Sequence, residues 1–312
     1  MGLAKTKKET DAPKIKGLRF QKSFGQHILK NPLIVQTMIE KAAVKSSDTV
    51  FEVGPGTGNL TCKLLEKCQR VIAFEIDPRM VTELQKRFQG TNHKAKLQIL
   101  VGDCIKATEW PKFDLCVANL PYQISSPFFL RLIQLEKSYR CAVVMVQKEF
   151  ADRLVAKTGD KLYCRLSANI QFHCKVAKLM KISRNSFRPP PKVDSSVVRV
   201  EPRHPKPPVC FEEWDALLRI IFNRKNKTLS ANMNKGVVDC LKKNYLAHCT
   251  VKNVDPEPIG IADKDSGAEL MNEKVQGILN SGQYSHLRAR TMDEDDILGL
   301  LVLFKKNGIN FA

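Results

Sequence analysis

The apolar positions along the chain alternate between two periods. Short runs rich in Val, Ile and Phe are followed by stretches whose apolar residues recur three and four apart. From residue 31 to residue 146 this alternation predicts βαβ units and a mostly parallel sheet. Asn31-Pro32 has the form of an N-cap with proline in the first turn, and Ile34, Val35, Met38, Ile39 and Ala42 then keep helical spacing. Thr49–Val53 reads as a short strand running into a glycine-rich turn, and Leu60, Leu64 and Leu65 give the next helix one apolar face. Residues 71–75 form the next expected strand, and Asp77-Pro78 opens a helix carrying Met80, Val81, Leu84 and Phe88. Strands are expected again at 97–101, 113–118 and 141–147, with a helix opening at Ser126-Pro127.

Residues 176–182 and 193–200 are apolar enough to form an antiparallel hairpin at the sheet edge. Pro202, Pro205, Pro207 and Pro208 then mark a stiff linker. Helices are expected over 214–222 and 237–245, and a last one opens with the capping-box spacing of Thr291 and Glu294 and closes near Gly308. Residues 246–267 contain Pro, Gly and Asp with little periodicity and read mostly as loop. The expected organisation is a flexible basic tail over 1–22, an α/β domain over 23–203 with helices on both faces of its sheet, and a small helical domain over 209–312.

Charge adds a partner to this picture. The 312 residues carry 51 Lys+Arg against 32 Asp+Glu, a formal net charge of +19, and such an excess points to a polyanion, nucleic acid ahead of membrane. The 10 cysteines are scattered without C-x-x-C spacing, so no zinc site is expected and the thiols read as reduced. No apolar run approaches the roughly 20 residues of a membrane helix. The Lys-rich tail contains Glu9 and Asp11, which argues against a mitochondrial presequence and for an RNA-binding or nuclear-import arm.

The strongest local signal is Glu52-Val53-Gly54-Pro55-Gly56-Thr57-Gly58, after a strand and before a helix. Glycines there allow positive φ and let a ligand approach the backbone. Glu75, ending the next strand, is placed to accept both ribose hydroxyls of an adenosine group, and Asp103, after the third, is placed to take the adenine amine. Dehydrogenases space their third glycine one residue later to seat a pyrophosphate, whereas G-x-G-x-G is the spacing of S-adenosylmethionine-dependent methyltransferases. The expected fold is therefore the Rossmann-like sheet of a class I methyltransferase, with S-adenosyl-L-methionine bound by Gly54, Gly56, Gly58, Glu75 and Asp103.

Asn119-Leu120-Pro121-Tyr122 follows the strand over 113–118 and so faces the same crevice. The chemistry suits an aromatic amine, whose lone pair is delocalised into the ring. The Asn119 carbonyl and a main-chain carbonyl can accept the two amine hydrogens, favour a pyramidal nitrogen and stabilise the charge that grows on it. Pro121 stiffens the loop, and Tyr122 offers a stacking face worth about 1–3 kcal/mol.

These motifs, together with Gly25-Gln26-His27-Ile28-Leu29, the stretch from Phe187 through Ser196, and Arg224-Lys225-Asn226-Lys227-Thr228-Leu229, occur in the order of one family. The chain resembles the KsgA-type rRNA adenine N6-dimethyltransferases, in their eukaryotic cytosolic-ribosome branch. Lys148 departs from the family's Arg, keeping the charge without the planar fork. The resemblance implies that Gln26, His27 and Leu29 close over the methionine end of the cofactor, with Asn119 also at the cofactor. It implies that Phe187 packs on the target base opposite Tyr122, forming a sandwich for an adenine taken out of its stack. The implied substrate is two adjacent adenosines in the 3′-terminal hairpin loop of small-subunit rRNA, each dimethylated. Partners would be that rRNA and pre-ribosomal particles, contacted through Arg188, Lys192, Arg224, Lys225 and Lys227, by a monomer in the nucleus and nucleolus. Three other readings compete: a non-catalytic ribosome-assembly factor on the same fold, a mitochondrial rRNA methyltransferase or transcription-factor relative, and an oxidoreductase, which the glycine spacing disfavours.

Overall fold

The computed structural model describes residues 14–15, 18–19, 27–135, 139–256, 259 and 264–312. Most of the basic tail, with Gly25 and Gln26, therefore lies outside the described residues; within it Lys14–Ile15 (β1) and Leu18–Arg19 (β2) pair antiparallel.

The chain forms two compact units. The first holds Ile28–Leu29 (β3), Pro32–Ala42 (α1), Thr49–Val53 (β4), Asn59–Leu65 (α2), Arg70–Glu75 (β5), Pro78–Phe88 (α3), Leu97–Val101 (β6), Leu115–Asn119 (β7) and Cys141–Gln147 (β8). Ser125–Gln134 (α4) lies between β7 and β8, and Lys148–Leu154 (α5) follows. Cys174–Ile182 (β9), Phe187–Arg188 (β10) and Ser195–Pro202 (β11) come after Arg165–His173 (α6). A seven-stranded sheet runs β6-β5-β4-β7-β8-β11-β9. The strands from β6 to β8 are parallel, and β11 joins β8 antiparallel. The expected edge pair is thus present, with β9 outermost.

The chain leaves β4 toward β5 and β6, then returns past β4 to β7 and β8. This reversal opens a crevice beyond the carboxyl ends of β4 and β7, where open α/β sheets bind ligands. The strands beside it are buried on both faces, which is why they read as continuous apolar runs. On one face Val50, Val71, Leu115, Val117 and Val143 pack with Met38, Leu64 and Leu84 of α1, α2 and α3. On the other, Phe51 meets Phe74, Trp110 and Phe113. Both expected caps form: Asn31 Oδ1 accepts from Leu33 N at 3.0 Å, and Asp77 Oδ1 accepts from Arg79 N at 3.0 Å.

The second unit joins Asp152–Val176 to Pro202–Ala312, so residues read as part of the α/β domain pack with the C-terminal helices. Its helices are α6, Phe211–Ile221 (α7), Leu229–Asn232 (α8), Lys235–Lys252 (α9), Lys264–Ser281 (α10) and Glu294–Lys306 (α11). Phe172 of α6 stacks on Trp214 of α7 with centroids 3.7 Å apart. Two expectations are corrected. The segment over 246–267 is not mostly loop, because α9 continues to Lys252 and α10 begins at Lys264. The last helix is capped by Asp293, whose box partner is Asp296; Thr291 closes a 3-10 turn before it.

Buried Asp215 ties α6 to α7: its carboxylate accepts from Arg165 at 2.7 Å, Asn169 Nδ2 at 2.7 Å and Arg219 at 3.1 Å. Both arginines keep solvent contact, which moderates the loss when the acid is removed. Asp215→Ala is expected to lower unfolding free energy by about 1–3 kcal/mol, read by urea denaturation, because buried donors lose their acceptor.

Candidate active site

The turn after β4 needs its glycines for different reasons. Gly54, Gly56 and Gly58 all have positive φ, at 67°, 56° and 80°. A Cβ on Gly54 would lie 3.2 Å from Cδ of Pro121, so the turn and the Asn119 loop abut and a side chain there would crowd the proline. A Cβ on Gly56 would meet nothing within 4 Å; its N–H donates to Glu75 Oε2 at 3.0 Å. Gly58 departs from its expected role. It is the N-cap of α2 and does not line the pocket, and a Cβ there would come within 2.8 Å of Leu84, so it is a glycine of close packing against α3.

Glu75 and Asp103 both line the pocket. The second Glu75 oxygen accepts from Asp77 N at 3.0 Å, so two backbone donors aim the carboxylate, while burial pushes its pKa up. Asp103 Oδ1 accepts from Ile105 N at 2.9 Å, a local turn that fixes the second oxygen's direction. Two lining residues were given no binding role by the sequence, although Glu52 opens the glycine motif. Glu52, at 1% exposure, lines the pocket with Oε2 lacking a hydrogen-bond partner, and burial pushes its carboxyl up to about 8 with help from the Glu75 charge. Ile76 follows Glu75 and keeps 44% exposure, an apolar wall whose only sequence signal is its place next to a strand-ending acid.

Asn119 ends β7 opposite Met145 of β8, and its Nδ2 donates to the His27 carbonyl at 3.3 Å. That bond orients the amide and leaves Oδ1 as its acceptor toward the pocket. Leu120 N donates to Met145 O at 3.2 Å, prolonging the sheet, and Pro121 leads into the 3-10 turn Tyr122–Ile124. His27 is drawn in by its Nδ1, which donates to the Pro189 carbonyl at 2.8 Å, and its ring lies beside Tyr122 with centroids 6.0 Å apart and planes at 27°. His27, Leu29, Asn119, Leu120, Pro121 and Tyr122 all line the one pocket with Gly54 and Gly56.

Phe187 is not in that pocket. In β10 it pairs with Leu29 of β3, and the two-residue period turns it inward to 1% exposure among Leu29 and Ile182 while Arg188 faces solvent. The ring beside Tyr122 is His27, and Phe187 is not among the residues lining the pocket. Of the basic residues, Arg188 and Lys192 are exposed in the first unit, and Arg224 and Lys227 in the second. Arg224 also reaches the Ala231 carbonyl. Lys225 is half-buried, and its ammonium donates to the carbonyls of Lys161 at 2.8 Å and Tyr163 at 2.7 Å. Among the described residues no His, Cys, Asp and Glu cluster is suited to a metal, and no helix is long and apolar enough to cross a membrane.

A glycine turn braced by the next strand's acid, with an Asn-Leu-Pro-Tyr loop against it at the reversal of a seven-stranded sheet, defines a class I methyltransferase. The sequence pattern of ribosomal RNA adenine dimethylases matches residues 17–258. A probable dimethyladenosine transferase of Drosophila melanogaster is 54% identical over 95% of this chain and 94% of its own length. The dimethyladenosine transferase of Schizosaccharomyces pombe is 48% identical over 94% of this chain and 93% of its own. The crystal structure of a dimethyladenosine transferase from Plasmodium falciparum superposes with a TM-score of 0.81 at 43% identity, covering 92% of this chain and all, 100%, of that one. The chain belongs to the ribosomal RNA adenine dimethylase family and is an rRNA adenine-N6,N6-dimethyltransferase.

Glu52 makes a pH-dependent test possible. Its folded-state pKa of about 8 lies above its ordinary 4.5, so between those values the folded chain holds a proton the unfolded chain has lost. The associated stability is present below pH 4.5 and is lost as pH rises through about 8. Glu52→Gln stays neutral throughout. Thermal unfolding without added ligand at about pH 5 and about pH 8.5 is expected to show a Tm gain for the variant that grows with pH. Parallel curves for the two proteins contradict the raised pKa.

Proposed function

We propose that this enzyme uses S-adenosyl-L-methionine to dimethylate N6 of two adjacent adenosines in the 3′-terminal hairpin loop of small-subunit rRNA, during biogenesis of the small ribosomal subunit. The residues present fit the cofactor. Glu75 carries a carboxylate aimed for a ribose diol, Asp103 offers an oxygen to an adenine amine, and the open side of Gly56 leaves room for close approach. The buried, unpartnered oxygen of Glu52 suits a cationic methionine end. When bound, the cofactor supplies an electrophilic methyl group on a sulfonium.

The chain's own residues do the rest. The observation that carries this reading is the Asn119 amide, whose nitrogen is used by the His27 carbonyl and whose oxygen remains for an amine hydrogen. With a main-chain carbonyl of the same loop it would accept both N6 hydrogens and stabilise the charge that develops on nitrogen. Tyr122 offers its ring face to the purine, and burial pushes its phenol up, so it stays neutral. No side-chain base is needed, because the methylated nitrogen is acidic enough to release its proton to water. Arg188, Lys192, Arg224 and Lys227 are the exposed cations we assign to RNA phosphates, in keeping with a net charge of +19 and with affinity that falls steeply with salt. We place the protein in the nucleus and nucleolus, acting as a monomer on pre-ribosomal particles.

The test is incubation of unmethylated small-subunit precursors with labelled S-adenosylmethionine, followed by nucleoside analysis. The native chain is expected to yield N6,N6-dimethyladenosine at two adjacent positions. Asn119→Ala should lower the yield by about 10²–10³-fold while RNA binding persists. Undiminished yield in that variant would sink the role assigned to the amide.

A further inference from the structure

Tyr122 is tethered at its hydroxyl by a residue that the chemistry above does not use. Its OH lies 2.7 Å from Oγ of Ser195, a serine with 0% exposure. A lone hydroxyl in a protein interior needs a partner, and here each hydroxyl is the other's. Ser195 opens β11 opposite Gln147 of β8, and β8 is the strand whose Met145 pairs with Asn119. One strand thus sets the positions of both the amide and the serine. The start of β11 is pinned as well: the Asp194 carbonyl accepts from Lys148 N at 2.9 Å, and its carboxylate accepts from Arg184 N at 3.1 Å and pairs with Lys181 at 2.9 Å.

The ring of Tyr122 stands on a single 3-10 turn and is only half-buried, so the turn alone leaves it rotational freedom. Pro121 restrains its backbone, His27 lies beside the ring, and Ser195 holds its far end. We propose that Ser195 is a positioning residue that fixes the plane of Tyr122 for the target base, and that it matters most for the second methyl transfer to each nitrogen. This rests on the reading of Tyr122 as the face on which the adenine lies. In each transfer a bond would form from the nitrogen to the methyl carbon as the sulfonium–methyl bond breaks, the thioether would leave with that electron pair, and the nitrogen would give up one proton to solvent. After the first, one N–H remains where two had been, so one of the two amine–carbonyl anchors is gone. The base then depends more on stacking for its position, and a loosened ring is felt more strongly.

The experiment follows N6-methyladenosine and N6,N6-dimethyladenosine over time in small-subunit precursors supplied with labelled S-adenosylmethionine. The proteins compared are the native chain, Ser195→Ala, Ser195→Thr, Tyr122→Phe and the double variant Ser195→Ala/Tyr122→Phe. Ser195→Ala and Tyr122→Phe should each slow the second transfer about 10-fold, the loss of one hydrogen bond's restraint, so that the monomethyl product accumulates. The double variant should be no slower than either single one, since both break the same contact. Ser195→Thr keeps the hydroxyl and should restore the native product ratio, and affinity for S-adenosylhomocysteine by calorimetry should be unchanged in all. Tyr122→Phe leaves the Ser195 strand intact, so a native product ratio in that variant overturns the proposal whether or not Ser195→Ala folds. Multiplying effects in the double variant overturn it too. Absence of dimethyladenosine with the native chain overturns the adenine reading itself, and this inference with it.

Discussion

Two loops from different strands touch where Gly54 meets Pro121, so closely that a methyl group there would crowd the proline ring at 3.2 Å. This contact is possible because the sheet reverses its order at β4, which brings the carboxyl ends of β4 and β7 side by side. The turn that suits the cofactor and the loop that suits the amine are therefore one wall of a single pocket. Two further ties hold the wall together: Gly56 N on the Glu75 carboxylate, and Asn119 Nδ2 on the His27 carbonyl. A shift of either loop would move both the methyl donor's seat and the acceptor for the amine. For a displacement that requires the reacting atoms in line, errors of about 1 Å are costly.

The electrostatics of the pocket follow from burial. Glu52 and Glu75 lie on adjacent strands in an apolar sheet, and burial raises both carboxyls, with the Glu75 charge raising Glu52 further and the Asp77 charge raising Glu75. Two backbone donors offset this for Glu75, whereas Glu52 retains an oxygen without a partner. A site with one carboxylate aimed by two backbone donors and one buried acid with an unpartnered oxygen is suited to a ligand with hydroxyls at one end and positive charge at the other. The energy held in that unsatisfied acid is a property of the folded chain that a ligand cation would relieve.

The α/β half was legible because its central strands are covered on both faces and so appear as unbroken apolar runs, with Asn31 and Asp77 announcing helices by local cap chemistry. The site was legible to the same extent, since Glu75, Asp103 and Asn119 each sit at or just past a strand end. Tertiary choices were not. Gly58 is explained only by the approach of α3, and Phe187 only by the pairing of β10 with β3 that turns it inward. Lys225 looked like a surface cation until its ammonium was found on two carbonyls. The helix α10 was hidden because Ser266, Gly267 and Gly277 weaken its pattern, although Met271, Val275, Ile278 and Leu279 form one buried face. Residues 152–176 join the helical unit because Phe172 stacks on Trp214, a pairing distant in sequence that no local pattern announces.

The glycine turn and the Asn119 loop act as one body. The most direct measurement of this is the dimethyladenosine yield of Gly54→Ala at saturating methyl donor, alongside its affinity for S-adenosylhomocysteine. A Cβ on Gly54 crowds Pro121, and alanine is strained at a φ of 67°, so the yield is expected to fall by about 10²-fold in a way that saturation with donor does not recover. Full recovery at saturating donor would mean that the turn serves the cofactor alone, and would contradict the account.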